Sequence, residues 1–376
     1  MDALILSCST GGGHNAAAAA IKEALTLRGH HAVMLDPYEL AGKNLDRKVG
    51  NTYIKIAQKT PRLFGVIYKL GDEYRRLPIR SPVYAVNKGM LGKMQAYLQE
   101  HPFDVIFTTH IFPGEILANM KNKGVSLPKR IFVATDYVCV PFTEEIDCDY
   151  YVTPGKALNP DFVRRGIPEE KLVPAGIPVR QSFCADISRE EALEELGLDP
   201  QNRYFLLSGG SMGAGLIGKT VGLLCRHLQE QPSCRLIVIC GNNEKLMEQL
   251  RADYGMDPRV ILIGTTDRMA LYMKGCDAFL SKPGGLSSTE AAVSGIPLIH
   301  ISPIPGCENK NMEFFQQCGM SLAIGSRIEE LPAALEKLPE LAPQMRANQK
   351  KYISAAAAED ICKFAESITE PPGSGT

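Results

Sequence analysis

Short apolar runs alternate along this chain with stretches of helical periodicity. Runs at 3–8, 32–35, 104–109, 131–135 and 150–153 are predominantly apolar, as strands buried on both faces of a parallel sheet tend to be. A second series follows at 204–208, 235–240, 260–263, 277–280, 298–301 and 321–324. Between most of them lie helical patterns, such as Asn15–Arg28, Glu190–Leu196 and Lys245–Tyr254. Alternation of this kind predicts parallel sheets with helices on both faces. Each series opens on a strand followed by a glycine-rich loop, which predicts an α/β protein of two Rossmann-like, doubly wound domains. The break is expected near Gly176-Ile-Pro-Val-Arg180, giving domains at 1–178 and 179–368 and a disordered tail at 369–376. Ligands are expected at the carboxyl ends of the strands, in the cleft between the sheets.

The most informative turn runs from Ser281 to His300. A buried strand ends at Ser281, turns through Pro283-Gly284-Gly285, and enters a small-residue helix that the run Ser287/Ser288/Thr289 is expected to cap. This arrangement aims unpaired N–H groups and the positive end of a helix above the sheet. Glu290, one turn further, can accept hydrogen bonds from vicinal hydroxyls. Amides for phosphate and a carboxylate for ribose suit a nucleotide diphosphate, although a surface glutamate after an ordinary β–α turn has the same sequence. In Gly209-Gly-Ser211-Met212-Gly213 a second amide-rich turn suits the diphosphate itself.

That turn overlaps Gly213-Ala-Gly-Leu-Ile-Gly218-Lys219-Thr220, a literal match to the Walker A pattern. A nucleotide-hydrolysing P-loop fits poorly, because Leu207–Met212 intervene after the strand and the run Leu236–Cys240 ends without an aspartate. Gly241, Asn242, Thr265 and Met269 follow further strand ends and could contact nucleotide, or could be plain loop residues. Glu308, Asn309 and Asn311 offer a carboxylate and two amides for sugar hydroxyls. In the first half, the glycines of Gly11-Gly12-Gly13-His14 let the backbone at Gly12 and Gly13 approach a ligand closely, and they place an imidazole at a helix start, where the dipole disfavours its protonated form. Such a histidine can act as a general base or merely cap its helix.

Composition narrows the partners. The chain has 376 residues, 45% apolar and 22% charged, with a net charge of −1, so no global charge calls for nucleic acid. The eleven cysteines show no C-x-x-C spacing, and Asp147-Cys-Asp149 precedes a strand rather than following one, so no obligatory metal is expected. The first residues read as a strand rather than a charged leader, consistent with a reduced cytoplasmic protein. Charge is concentrated at 43–93, where twelve basic side chains from Lys43 to Lys93 face only Asp46, Asp72 and Glu73. Tyr53, Ile54, Phe64 and Tyr68 are interleaved with them. A basic amphipathic stretch suits an anionic membrane surface, or a solvated helical face over a core; no nucleic-acid reader motif accompanies it.

In order, Gly11-Gly-Gly-His14, Thr109-His110-Ile-Phe-Pro113, Thr135-Asp136, Gly209-Gly-Ser-Met-Gly213, Lys282-Pro-Gly-Gly285 with Glu290, and Pro305-Gly-Cys-Glu308-Asn309 resemble the motifs of the processive diacylglycerol glucosyltransferases and plant monogalactosyldiacylglycerol synthases. These are relatives of the lipid-linked GlcNAc transferase of peptidoglycan synthesis. The resemblance implies an inverting GT-B glycosyltransferase that moves a hexose, glucose being favoured, from a UDP-hexose to diacylglycerol at the inner face of the cell membrane. It gives His14 the acceptor proton, Ser211 and Met212 the diphosphate, Glu290 the ribose, and Glu308 with Asn309 the hexose. It also adds His110 and Asp136, either of which could instead be a buried strand-end residue. Alternative readings are a UDP-GlcNAc transferase to another lipid-linked acceptor and a non-catalytic UDP-sugar-binding protein.

Overall fold

A computed structural model describes residues 1–9, 11–42 and 87–369. The basic 43–93 segment therefore lies largely outside the described residues, as does all of the 369–376 tail beyond Thr369. The chain divides into two compact units, one of 1–181 with 354–376 and the other of 182–353. The second unit thus ends at Ile353, not at 368. The chain's last helix, Ala357–Thr369, packs on the first unit, because its apolar stripe of Ile361, Cys362 and Ala365 shares a core with Ile21 and Leu25.

The first unit holds a six-stranded sheet in the order β2-β1-β3-β4-β5-β6. Its strands are β1 (Asp2–Leu6), β2 (His31–Leu35), β3 (Val105–Thr108), β4 (Lys129–Val133), β5 (Tyr150–Val152) and β6 (Leu172–Val173). Every pairing is parallel. Side chains alternate across the sheet as the strand period requires. Ala3 and Ile5 join the core under the helix α1 (Gly12–Leu27), whereas Leu4 and Leu6 pack with Ile116, Leu117 and Met120 on the other face. The sequence reading found all of these strands except β6, whose two residues are too few to carry a periodic signal.

The second unit repeats the plan with the order β12-β11-β10-β7-β8-β9, again all parallel. Its strands are β7 (Arg203–Ser208), β8 (Cys234–Ile239), β9 (Val260–Ile263), β10 (Ala278–Ser281), β11 (Leu298–Ile301) and β12 (Leu322–Gly325). The helix Arg189–Leu196 leads into it through a capping box, with Ser188 and Glu191 exchanging hydrogen bonds, and stops at Gly197 in the left-handed region.

The strand orders locate the ligand sites. In an open parallel sheet a crevice forms where successive connections leave for opposite faces. In the first sheet that point lies between β1 and β3, and in the second between β7 and β10. Register sharpens this: Leu6 is level with Thr108, and Ser208 with Ser281, so each pair of loops leaves its sheet at the same height.

Candidate functional site

The first switch point brings together His14 and His110, one after each neighbouring strand. His14 is the third residue of α1. Its Nδ1 lies 2.8 Å from the Thr109 carbonyl oxygen and 3.1 Å from Thr135 Oγ1. A carbonyl oxygen can only accept, so Nδ1 carries the hydrogen and the Nε2 lone pair remains available in the neutral ring. Burial lowers the proton affinity of His14, while the Asp136 carboxylate and the Thr109 hydrogen bond act in the opposite direction. The loop before α1 is tied down as well: Asp36 accepts from the Ser9 amide at 3.0 Å, and Ser7 Oγ bonds Asn15 Oδ1 at 2.6 Å.

His110 has a different state. It caps the Ile111–Asn122 helix, and its Nδ1 accepts the Phe112 N–H at 3.1 Å. The neutral ring therefore holds its hydrogen on Nε2. Burial, and then the neighbouring His14, hold its pKa well below the ordinary value. The two rings meet edge to face with centroids 4.5 Å apart. Two neutral imidazoles of opposite tautomer thus stand side by side, and His14 keeps its lone pair on Nε2. Gly12 and Gly13 form the first turn of the helix beneath them. Thr109 and Thr135, which fix the His14 ring, stand in the sequence motifs without a role of their own. Their partner lies 95 and 121 residues away, a distance no local pattern spans.

The second switch point gathers the glycine loops. Gly210 and Gly213 adopt φ of 73° and 53°, and Gly241 adopts 60°. The loops after β7 and β8 lie backbone on backbone: Asn242 N–H donates to Ser211 O at 2.8 Å, and Asn243 Nδ2 to Gly213 O at 3.2 Å. The Gly213 amide itself bonds Gly210 O at 3.0 Å, so its contribution is to close the turn. Ser211 and Asn242 are exposed and Met212 is half-buried at the rim of this turn. Thr265 is exposed beyond β9, and Met269 opens the helix Met269–Gly275.

The helix after β10 runs from Gly285 to Ser294 with Gly284 at its N-cap and no side-chain cap. The expected Ser287–Thr289 cap is therefore displaced by a turn, and these residues serve inside the helix. Thr289 Oγ1 donates to Gly285 O at 2.7 Å. Ser288 bonds His300 Nε2 at 2.9 Å and Ser321 bonds Nδ1 at 3.0 Å, so burial pushes His300 down to about 3. With no side chain at the cap, helix geometry leaves the N–H groups of Gly285, Leu286 and Ser287 for an external acceptor. Pro283 sits beneath them, its carbonyl held at 3.0 Å by the fully buried Asn311. Asn311 thus supports the loop from below. Glu290 is half-buried on the same helix.

Glu308, in the first turn of the helix Cys307–Gln317, is nearly buried and ion-paired with Lys282. Its other oxygen accepts the Ile304 N–H at 2.8 Å. Asn309 beside it is half-buried. Lys282 opens the Lys282-Pro-Gly-Gly285 motif in the sequence, but nothing there assigns it a role or a partner.

Two patterns acquire plain structural roles. Asp147 pairs with Lys121 at 2.6 Å and Asp149 with Arg130 at 3.1 Å, so each carboxylate of the Asp147-Cys-Asp149 segment already has a cation. Lys219 of the Walker-like stretch is exposed inside the helix Ile217–His227, and the buried Thr220 hydroxyl donates to Leu216 O at 2.9 Å. Lys219→Ala is accordingly expected to shift thermal stability and titration with UDP by no more than about 0.5 kcal/mol. A collapse of nucleotide binding would restore the P-loop reading.

Comparison with known proteins identifies the family. Residues 14–179 match the model of monogalactosyldiacylglycerol (MGDG) synthase, and residues 219–355 match that of glycosyl transferases group 1. A processive diacylglycerol beta-glucosyltransferase of Staphylococcus saprophyticus is 30% identical over 74% of this chain and 70% of its own length. The protein of the same name from Bacillus pumilus is 25% identical over 97% of this chain and 96% of its own. Among solved structures, S. aureus MnaA in complex with UDP superposes with a TM-score of 0.66 at 14% identity and full coverage of both chains, a likeness of fold alone. Two parallel six-stranded sheets with helices are the GT-B arrangement, and the chain belongs to the processive diacylglycerol beta-glucosyltransferase family of glycosyltransferases.

Proposed function

We propose that this glycosyltransferase moves a hexose, glucose first among candidates, from a UDP-hexose to the hydroxyl of diacylglycerol with inversion at the anomeric carbon. The observation that carries this reading is the tautomer of His14, locked by the Thr109 carbonyl so that a basic Nε2 is presented. In a single displacement, the acceptor oxygen forms its bond to C1 as the bond from C1 to the diphosphate oxygen breaks. His14 Nε2 takes the acceptor proton, and UDP departs with the bonding electrons. The second unit would hold the donor: Glu290 on the ribose, the Ser211–Gly213 turn and the Gly285–Ser287 amides around the diphosphate, and Glu308 with Asn309 at the hexose. Fixed amides and a helix start stabilise leaving-group charge without an obligatory metal. The neutral His110 stands edge to face against His14, and we assign it a place beside the acceptor or donor.

No helix among the described residues is long and apolar enough to cross a membrane. Access to a lipid acceptor then falls to the basic 43–93 segment, acting peripherally on the inner, anionic face of the membrane. The deciding experiment supplies labelled UDP-glucose, UDP-galactose and UDP-GlcNAc to the full chain over diacylglycerol liposomes, with and without a chelator. A β-linked glycolipid from UDP-glucose in both conditions is expected. No glycolipid from any donor would overturn the acceptor assignment.

The pH profile has a definite sign. His14 must be neutral to act, and its folded pKa lies below the ordinary 6.5. Transfer should hold steady above that value and fall as pH drops through the lowered pKa. Asp136→Asn removes the charge that raises it, so the acid limb of kcat/KM should move to lower pH while the plateau drops with the weaker base. Movement to higher pH would refute the electrostatic role of Asp136.

A further inference from the structure

Lys282 and Glu308 form an ion pair at the centre of the second switch point, with 15% and 8% of their side chains exposed. An ammonium this buried needs a counter-charge, and Glu308 supplies it. The surroundings of the lysine are unusual. A Cβ at Gly210 would lie 3.2 Å from Lys282 Cε, and one at Gly284 would lie 3.7 Å from Nζ and 4.0 Å from Glu308 Oε1. The ammonium therefore borders two glycine turns, one after β7 and one after β10, at the place where side chains are missing from both. Glu308 cannot follow it far, because its second oxygen is anchored by the Ile304 amide.

We infer that Lys282 is exchanged between two anions: Glu308 holds it in the empty protein, and the donor diphosphate takes it over on binding, which frees Glu308 Oε1 for a hexose hydroxyl. The inference rests on the UDP-hexose reading above. Its physical basis is that a diphosphate entering between the two glycine turns carries more charge than a carboxylate and repels Glu308. The flexible lysine stem can pivot, whereas the anchored carboxylate cannot. Sugar recognition is thereby made conditional on phosphate recognition: a free hexose meets a carboxylate already engaged by a cation.

The exchange predicts opposite signs for two substitutions in one pair. Titration of the full chain with UDP and with uridine separates them. Lys282→Gln should weaken UDP about tenfold or more, the loss of a charge-assisted phosphate contact, and leave uridine unchanged. Glu308→Gln should tighten UDP several-fold, since the Glu308 carboxylate no longer competes for the lysine, yet lower kcat with UDP-glucose. A pair that only braces the fold gives the other pattern, with both substitutions weakening UDP and uridine alike, and that result would overturn the exchange. Should Lys282→Gln fail to fold, the sign of the Glu308→Gln effect decides alone. Wild-type protein that binds no UDP would sink the donor reading itself, which is a different failure.

Discussion

Replacing His14 with alanine should lower transfer by about 10²–10⁴-fold, the usual worth of a positioned general base, and leave UDP affinity unchanged. The separation follows from the chain's division: His14 lies in the first unit, and the residues assigned to UDP lie in the second. The size follows from the tautomer. The Thr109 carbonyl at 2.8 Å and the Thr135 hydroxyl at 3.1 Å both address Nδ1, so the protein has arranged the ring to leave Nε2 as a base. His14→Gln makes the sharper comparison. A glutamine amide can still donate toward Thr109, which preserves the fold, but its other end is an oxygen of negligible basicity. Both variants should unfold at nearly the wild-type temperature and both should be nearly inactive. Retained transfer in either would remove His14 from the chemistry.

The second large effect belongs to a backbone contact. A Cβ at Gly241 would strike the Ser211 carbonyl oxygen, with the Ser211 carbonyl carbon at 2.7 Å and Gly210 O at 2.8 Å. These are main-chain atoms and cannot rotate aside. Gly241 also has a φ of 60°, where an L side chain adds strain of roughly 1–2 kcal/mol. Gly241→Ala should destabilise the second unit by about 2–4 kcal/mol and force the Gly210–Gly213 turn away from β8, abolishing tight UDP binding. Gly218→Ala is the control. It sits in the Ile217–His227 helix with nothing within 4 Å of the added methyl, and should stabilise by about 0.5–1 kcal/mol. Thermal unfolding and UDP titration read both; a neutral Gly241→Ala would show that the two loops can separate without loss.

The parts of the fold legible in sequence are those written in continuous residues. A parallel strand is apolar throughout because both of its faces are covered, so Val105–Thr108 or Leu298–Ile301 declares itself. Glycine turns after strand ends announce the ligand face for the same reason. What stayed hidden depends on pairs distant along the chain. Thr109 meets His14 only because β3 is next to β1, and Lys282 meets Glu308 only because the loops after β10 and β11 converge. The Ser287–Thr289 run is instructive. Its residue types suit a helix cap, but the backbone enters the helix earlier, at Gly285, and Ser288 is spent on the buried His300. The domain to which the Ala357–Thr369 helix belongs is hidden in the sequence on similar grounds. Its amphipathic stripe shows that it packs, and nothing local shows on what.

That helix also fixes an order of events during synthesis. Residues 182–353 form an uninterrupted unit that is complete in sequence before the helix is made. The first unit is not, because Ile361, Cys362 and Ala365 fill the core beneath Ile21 and Leu25. The first unit therefore keeps part of its apolar face uncovered until residues 357–369 are made, whereas the inserted unit already has all of its sequence by then. A chain truncated before residue 357 would keep the 182–353 unit whole and leave the Ala18–Leu25 face of the α1 helix without the helix that covers it.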